Sequence, residues 1–319
     1  MSKTAFLFPG QGSQFVGMGA DFYETEASAK VVFDAADEAL GFSLSELCFN
    51  GPEDELRLTA NTQPAILTAS IAVLRVLNEK CNIRPDFTAG HSLGEYSALV
   101  AADALVFEDA VQIVRARGQY MEEAVPAGQG AMAAIMGMER DALDAVCQEV
   151  TTAGYPVQLA NLNSPGQIVI SGSAEGVARA SEAAKAAGAK RAIPLNVSGP
   201  FHSMLMKPAA EKLEGKLADY AVNDAYIPVV ANVSAQSVRE ADHIRHALIE
   251  QVASPVLWED TVRYLLDQGV DRFIEIGPGT VLTGLVKKVD RSVQTLSIQD
   301  AATLEKALAV LAEAEQGEN

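Results

Sequence analysis

Short apolar segments that end in glycine-containing turns, each followed by a helical pattern, constrain the fold of this chain most. Three such segments are Thr4–Phe8, Phe87–Gly90 and Arg272–Ile276. Strands that alternate with helices in this way form a mostly parallel sheet with helices on both faces. The two ends of the chain therefore predict one large α/β domain.

The middle of the chain follows a different pattern. Between residues 128 and 198 the apolar spacing predicts the order β-α-β-β-α-β, which is typical of a ferredoxin-like unit. Glycine and proline residues at 126–130 and 198–200 are suited to linkers. We therefore predict a discontinuous large domain, residues 1–127 and 199–319, with a small domain inserted at 128–198.

Composition excludes several classes of protein. The 319 residues carry a formal net charge of −18, which disfavours nucleic acid and anionic membranes as partners. No run reaches the roughly 18 apolar residues of a membrane-spanning helix, so we expect a cytoplasmic protein. Cys48, Cys81 and Cys147 are far apart and show no CxxC spacing, so neither a disulfide framework nor structural zinc is expected.

The run Gly90-His91-Ser92-Leu93-Gly94 matches G-x-S-x-G between a predicted strand and a predicted helix. A serine in this setting lies on a sharp, strained turn with its hydroxyl exposed at the carboxyl end of the sheet. The five-residue pattern alone is also compatible with a structural glycine-rich turn. Its position between strand and helix favours a nucleophile at Ser92, with the Leu93 amide directed at the developing oxyanion.

A nucleophilic serine needs a base, and the chain has four histidines. His91 adjoins Ser92 and points away from it in such a turn, so we expect it to pack behind the turn. His243 and His246 lie in a polar stretch typical of a solvated helix face. His202 lies where the chain re-enters the large domain, a place suited to a cleft between domains. Spacing leaves a catalytic base and a structural histidine both open for His202.

The first glycine-rich turn, Phe8 to Gln14, does not fit a phosphate-binding loop. Phe15 stands where G-x-G-x-x-G requires its third glycine, and no Gly-Lys-Ser/Thr follows. Two interpretations remain: a plain connection between a strand and the next segment, or a turn that exposes the Gln11 amide as a second oxyanion donor.

Together these motifs resemble the malonyl-CoA:acyl carrier protein transacylases of bacterial type II fatty-acid synthesis, which in turn resemble the acyltransferase domains of polyketide synthases. The resemblance spans the chain from Phe6 to about Leu285. Four motifs occur in the family's order: Phe8-Pro9-Gly10-Gln11-Gly12-Ser13-Gln14, Gly90-His91-Ser92-Leu93-Gly94, Gly199-Pro200-Phe201-His202-Ser203 and Glu275-Ile276-Gly277-Pro278-Gly279. It implies an α/β-hydrolase-like large domain with an inserted ferredoxin-like domain.

The resemblance also implies roles for single residues. Ser92 would be the acylated nucleophile and His202 its base and later its acid. The amides of Gln11 and Leu93 would form the oxyanion hole. Gln251 matches the glutamine whose backbone carbonyl orients the histidine.

Substrate selection is implied by a second group of residues. Arg117 matches the arginine that pairs with the free carboxylate of malonyl, which a planar guanidinium can hold through two hydrogen bonds. Asn161 and Gln167 would line the cleft on the side of the small domain. Pro200 and Phe201 resemble the malonyl-selective rather than the methylmalonyl-selective polyketide domains.

The implied activity is transfer of malonyl from malonyl-CoA to the phosphopantetheine thiol of acyl carrier protein, in two steps through malonyl-Ser92. Neither a metal nor another cofactor is expected. The implied partners are a CoA thioester and, transiently, the acidic acyl carrier protein, and the enzyme is expected to be a monomer. Basic residues that could meet the carrier are Lys190, Arg191, Lys287 and Lys288, although a solvated face also explains them.

Three alternatives stay open at this point. A serine esterase or thioesterase shares G-x-S-x-G, but it normally has an HGGG-like oxyanion loop and an acid between serine and histidine in chain order; the sequence has no HGGG run. An acyltransferase of a polyketide pathway would carry the same motifs. A non-catalytic subunit could keep the fold, but it would have no need of Ser92, His202 and Arg117 together.

Overall fold

A computed structural model of the protein describes residues 2–317. Within that range the strands form two separate sheets. The strands of the first sheet are β1 (Lys3–Phe8), β2 (Phe87–Gly90), β7 (Val229–Val230), β8 (Ser237–Val238), β9 (Val270–Ile276) and β10 (Gln294–Ile298). Those of the second are β3 (Gly130–Met136), β4 (Val157–Ser164), β5 (Gln167–Ser173) and β6 (Arg191–Pro194).

The first sheet has the strand order β10-β9-β1-β2-β7-β8. All neighbouring pairs from β10 to β7 are parallel, and β8 alone, among the described strands, joins antiparallel at the edge. Phe8 at the end of β1 pairs with Gly90 at the end of β2, so the two turns that follow these strands lie side by side. Glycine-rich turns that are remote in sequence are thereby brought to one edge of the sheet.

Helices cover both faces of this sheet and fill the connections between its strands. Those of the large unit are α1 (Ala20–Thr25), α2 (Ala27–Leu40), α3 (Leu44–Asn50), α4 (Glu53–Leu56), α5 (Thr59–Lys80), α6 (Gly94–Ala101), α7 (Phe107–Glu123), α10 (Lys207–Leu217), α11 (Ala241–Gln251), α12 (Trp258–Asp267), α13 (Val281–Val289) and α14 (Ala301–Gly317). A single 3₁₀ turn, Met204–Met206, precedes α10. In the described part of the chain, no helix is long and apolar enough to cross a bilayer.

The second sheet has the order β4-β5-β3-β6, and its three described pairings are antiparallel. Helices α8 (Arg140–Thr152) and α9 (Ala174–Ala186) pack together on it. Their buried faces, which include Leu143 and Ala180, share an apolar cluster with the sheet that is separate from the clusters of the large unit. The small unit therefore has an apolar core of its own, while Met132, Ala160 and Val169 of its sheet pack against the core of the large unit.

The prediction of a mostly parallel α/β sheet with a second, small unit inserted in it is confirmed. The strands of the small sheet occupy residues 130–194; the domain boundaries at 127/128 and 198/199 stay a prediction. Two apolar runs of the sequence extend beyond the strands that they contain. The apolar run from Ile227 to Asn232 forms a ladder at Val229–Val230 and then turns back into β8, and the strand from Arg191 ends at Pro194.

Candidate active site

Ser92 lies on a sharp turn between β2 and α6. Its φ of 51° is in the left-handed region, which a residue with a side chain seldom adopts without support from its surroundings. The flanking glycines make the turn possible: a Cβ on Gly90 would lie 1.9 Å from the carbonyl of Gly94, and one on Gly94 would lie 2.1 Å from the Phe8 oxygen. The chain is therefore folded tightly on both sides of the serine.

His202 meets Ser92 from 110 residues further along the chain, with Nε2 2.7 Å from the serine Oγ. Its Nδ1 lies 2.9 Å from the carbonyl oxygen of Gln251. A carbonyl can only accept a hydrogen bond, so Nδ1 carries the proton and the neutral ring presents a free Nε2 to the serine hydroxyl. The pair has the orientation of a nucleophile and its base, and a backbone carbonyl occupies the place of a triad carboxylate.

The surroundings keep His202 neutral. Its side chain is buried, and burial together with the positive charge of Arg117 lowers its pKa to about 3. A hydrogen bond to Gln251 opposes this shift without cancelling it. At neutral pH the imidazole is therefore unprotonated and able to accept the serine proton.

Arg117 lies on α7 and is 1% exposed. One terminal nitrogen donates to Gln63 Oε1 at 2.8 Å, and the other donates to Gln251 Oε1 at 2.8 Å and to Ser92 Oγ at 3.2 Å. Its buried Nε has no acceptor among the described side chains and backbone groups. Burial lowers the arginine's pKa, but a guanidinium stays charged at neutral pH. A fixed positive charge thus lies beside the nucleophile with donor capacity to spare.

Gln11 and Leu93 both adjoin the serine: Gln11 lines the same cavity as Ser92, and Leu93 follows Ser92 in the chain. Gln11 follows the Pro9-Gly10 turn, which lies against the serine turn through a 3.1 Å bond from the His91 amide to the Phe8 oxygen. Leu93 immediately precedes the first residue of α6. Within residues 2–317 neither amide donates to another protein group. The two N–H groups are therefore available to an oxyanion formed at Ser92.

A small cavity of about 110 Å³ opens above Ser92. It continues into a larger cavity of about 670 Å³ that shares three of its lining residues. The residues that line the small cavity are Gln11, Gln63, His91, Ser92, Met121, Met132, Asn161, Leu195, Val197, Phe201 and His202. Of the two residues predicted to line the cleft from the small domain, Asn161 is thus in the cavity wall.

Gln167 is not among the residues of that wall, and its place in the cleft stays a prediction. It begins β5 opposite Met136, the far end of β3 from the cavity residue Met132. Its side chain accepts a hydrogen bond from Lys288 near the surface. Asn161 and Gln167 lie on the two strands of one hairpin, and of the two only Asn161 lines the small cavity.

His91 contacts Asn163 and Trp258 rather than the Ser92 hydroxyl, and it also lines the small cavity. Its Nε2 lies 2.8 Å from Asn163 Oδ1, and its ring contacts that of Trp258 at a centroid distance of 5.5 Å. Burial lowers its pKa. The other two histidines, His243 and His246, lie on the exposed side of α11 and face nearby glutamates.

Three residues of the site escaped the sequence analysis: Gln63, Glu95 and Asn232. Gln63 holds Arg117 from the buried face of α5. Asn232 accepts a hydrogen bond from the Ser92 amide, and Glu95 accepts one from the Asn232 amide. Of the three, only Glu95 could have been noticed in the sequence. It directly follows the G-x-S-x-G run and is the one charged residue of a mostly apolar helix.

Among the described residues, no group of three or more His, Cys, Asp or Glu side chains could hold a metal ion. The three cysteines are not paired with one another, and burial raises the pKa of the Cys147 thiol to about 12.

A family model for the acyl transferase domain matches residues 5–309. The chain belongs to the acyl transferase family. The predicted acyltransferase is thereby confirmed, and Ser92, His202 and Arg117 lie within the matched residues.

Relatives within the acyl transferase family match over the whole length. The malonyl CoA-acyl carrier protein transacylase of Bacillus subtilis is 61% identical over 313 residues, which are 98% of this chain and 98% of that protein. Its counterpart from Clostridium perfringens has a solved structure that covers 100% of both chains with a TM-score of 0.96 and 44% identity. The resemblance to malonyl-CoA:acyl carrier protein transacylases is thus confirmed.

A third match is a complex. Its solved structure holds a type II polyketide acyl carrier protein with its malonyl transacylase, whose chain is 47% identical to this one with a TM-score of 0.94. It covers 97% of this chain and 99% of that chain. A transacylase of this fold therefore binds an acyl carrier protein.

Proposed function

We propose that this acyl transferase moves the malonyl group from malonyl-CoA to the phosphopantetheine thiol of acyl carrier protein and so supplies fatty-acid synthesis. The observation that carries the proposal is the contact of three groups: the Ser92 hydroxyl lies between the free Nε2 of His202 and the guanidinium of Arg117. The first pair supplies nucleophile and base, and the arginine supplies a partner for the free carboxylate of malonyl. The names of the full-length relatives support the same substrate.

In the first step, Ser92 Oγ attacks the thioester carbonyl while His202 Nε2 takes the hydroxyl proton. The amides of Gln11 and Leu93 receive the oxyanion, a contribution on the order of 3 kcal/mol per donor. The C–S bond then breaks, and the proton on His202 passes to the departing CoA sulfur. Ser92 is left as a malonyl ester.

In the second step, the carrier's thiol enters the site after CoA has left it. His202 takes the thiol proton, the thiolate attacks the ester carbonyl, and the C–O bond to Ser92 breaks as His202 returns the proton to Oγ. Overall, the thioester of CoA is exchanged for the thioester of the carrier, so the reaction is reversible. The proposed steps involve no metal or redox cofactor.

The placement of Arg117 fits a small acyl group with a charge at its end. The cavity above Ser92 is about 110 Å³, which suits a short chain. The terminal nitrogen of Arg117 that lies 3.2 Å from Ser92 Oγ can donate a charge-assisted hydrogen bond to a carboxylate carried on the acyl group. It also gives an acidic protein a local positive site for an acidic substrate.

A serine hydrolase is the main alternative. Hydrolases of this type orient their histidine with a carboxylate, whereas His202 Nδ1 contacts the carbonyl oxygen of Gln251. Product analysis separates the two activities: a transferase yields malonyl-carrier, and a hydrolase yields free malonate when no carrier is present.

We further propose that the protein acts as a cytoplasmic monomer that binds its carrier transiently.

Arg117 provides the test of substrate class. Arg117→Ala removes the carboxylate partner, so kcat/KM for malonyl-CoA is expected to fall by about 100-fold or more, the size of a lost charge-assisted pair. Acetyl-CoA has no carboxylate, and its kcat/KM is expected to change far less. Equal losses for the two substrates would refute the carboxylate role of Arg117.

A further inference from the structure

Asn232 forms hydrogen bonds with the backbone on both sides of the strained serine turn. Its Oδ1 accepts the Ser92 N–H at 2.7 Å, and its Nδ2 donates to the Gly90 carbonyl oxygen at 2.7 Å. The side chain is fully buried and follows the end of β7, the strand next to β2. A single amide thus holds the peptide groups on both sides of His91.

Glu95 holds Asn232 in turn. It lies in the first turn of α6 with a side chain that is 2% exposed. Its Oε2 accepts the Asn232 backbone N–H at 3.0 Å and Gln251 Nε2 at 2.8 Å. Burial raises the pKa of this carboxyl to about 7.

Gln251 extends these contacts to the other two groups of the site. Its Nε2 also donates to the Ser92 carbonyl oxygen at 2.9 Å, and its Oε1 accepts from Arg117 at 2.8 Å. Its backbone carbonyl accepts from His202. Ser92, His202 and Arg117 are therefore each within two hydrogen bonds of Glu95.

We propose that Asn232 and Glu95 are positioning residues, a clamp that holds Ser92 in its left-handed conformation and in register with His202 and Arg117. This inference rests on the proposed role of Ser92 as nucleophile. A left-handed backbone at a residue with a side chain is strained and persists only where the surroundings fix it. If the turn relaxed, Oγ would leave the 2.7 Å contact with His202, and a displacement of about 1 Å can cost about 100-fold in rate.

The main test uses Asn232→Ala. We expect kcat for malonyl transfer to fall by about 100-fold while KM stays within about threefold, because the residues that line the cavity are unchanged. Asn232→Asp keeps the side-chain shape and the acceptor for the Ser92 amide but loses the donor to Gly90, so a smaller fall in kcat is expected with the core still filled.

Glu95 offers a rescue experiment. In Glu95→Gln the amide oxygen can accept the same two hydrogen bonds that Oε2 accepts, so most of kcat is expected to remain. Glu95→Ala removes both bonds and is expected to lose about as much kcat as Asn232→Ala.

Glu275 is the matched control. Like Glu95 it is a buried carboxylate at the sheet, but it accepts the backbone N–H groups of Leu282 and Thr283 at 3.0 and 2.8 Å and does not contact the serine turn. Glu275→Ala is expected to lower the melting temperature without lowering kcat. Loss of kcat in this variant equal to that in Asn232→Ala would show a general effect of destabilisation and overturn the clamp.

A second readout does not depend on malonyl. The rate at which phenylmethanesulfonyl fluoride labels Ser92, measured by mass spectrometry against Ser92→Ala, is expected to fall in parallel with kcat. Unchanged labelling and kcat in Asn232→Ala and Glu95→Ala would overturn the clamp. A wild-type protein that forms no malonyl ester but loses labelling in Asn232→Ala would instead refute the proposed function and leave the clamp intact.

Discussion

His202 should make the protein less stable in acid, by an amount that follows from its burial. Its pKa falls from a usual 6.5 to about 3 in the folded state. Between these two pH values, His202 is protonated in the unfolded chain and neutral in the folded protein. The stability that comes from the neutral ring is present above pH 6.5 and is lost as the pH falls toward 3.

The perturbation is His202→Asn, which suits the left-handed backbone of this position, where φ is 57°. A pH of about 5 is about 1.5 units below the usual pKa of 6.5 and still above the pKa of the folded state. Protonation of the unfolded chain therefore lowers the unfolding free energy by about 2 kcal/mol at this pH. Other titrating groups are common to both proteins and cancel in the comparison.

Urea unfolding at about pH 7.5 and about pH 5 measures this difference. Between the two values, the wild type is expected to lose about 2 kcal/mol more stability than His202→Asn. Equal losses would mean that His202 titrates normally in the folded protein, and the argument that it is held as a neutral base would be wrong.

Two further perturbations test the surroundings of the serine. Glu95 has its pKa raised by burial from 4.5 to about 7, so stability should fall as the pH rises between these values; relative to Glu95→Gln, the loss is expected to be about 3 kcal/mol in urea unfolding, and a pH-independent difference would contradict the raised pKa. Gly90→Ala places a Cβ 1.9 Å from Gly94 and should cost several kcal/mol, about 3 or more. Gly41→Ala, at a φ of 72° with open space around it, should cost about 1 kcal/mol; similar melting temperatures for the two variants would contradict the steric argument.

The serine turn could be predicted because its signals are local. Gly90 and Gly94 are required by close approach of the backbone, and they stand two residues from Ser92 in the sequence. The alternation of strands and helices that places this turn at a sheet edge is also written in local periodicity. The resemblance to a known family then supplied His202, Arg117 and Gln251.

The contact of Asn232 with the serine turn could not be predicted in the same way. Asn232 contacts Ser92 across 140 residues of sequence, and nothing in its neighbours Ala231 and Val233 marks it as special. The sequence likewise does not show that β7 ends at Val230, since an apolar run does not tell where the chain turns back into β8. Contacts of this kind depend on the order of strands in the sheet, which hydrophobic pattern does not determine.

The central claim is that Ser92 carries the acyl group, and intact-protein mass spectrometry after brief exposure to malonyl-CoA tests it most directly. The wild type is expected to gain the mass of one malonyl group, located on Ser92 by peptide mapping and removed when acyl carrier protein with its phosphopantetheine arm is added. Ser92→Ala is expected to gain none. The same adduct on Ser92→Ala, or a malonyl ester on the wild type that the carrier does not discharge, would contradict the account.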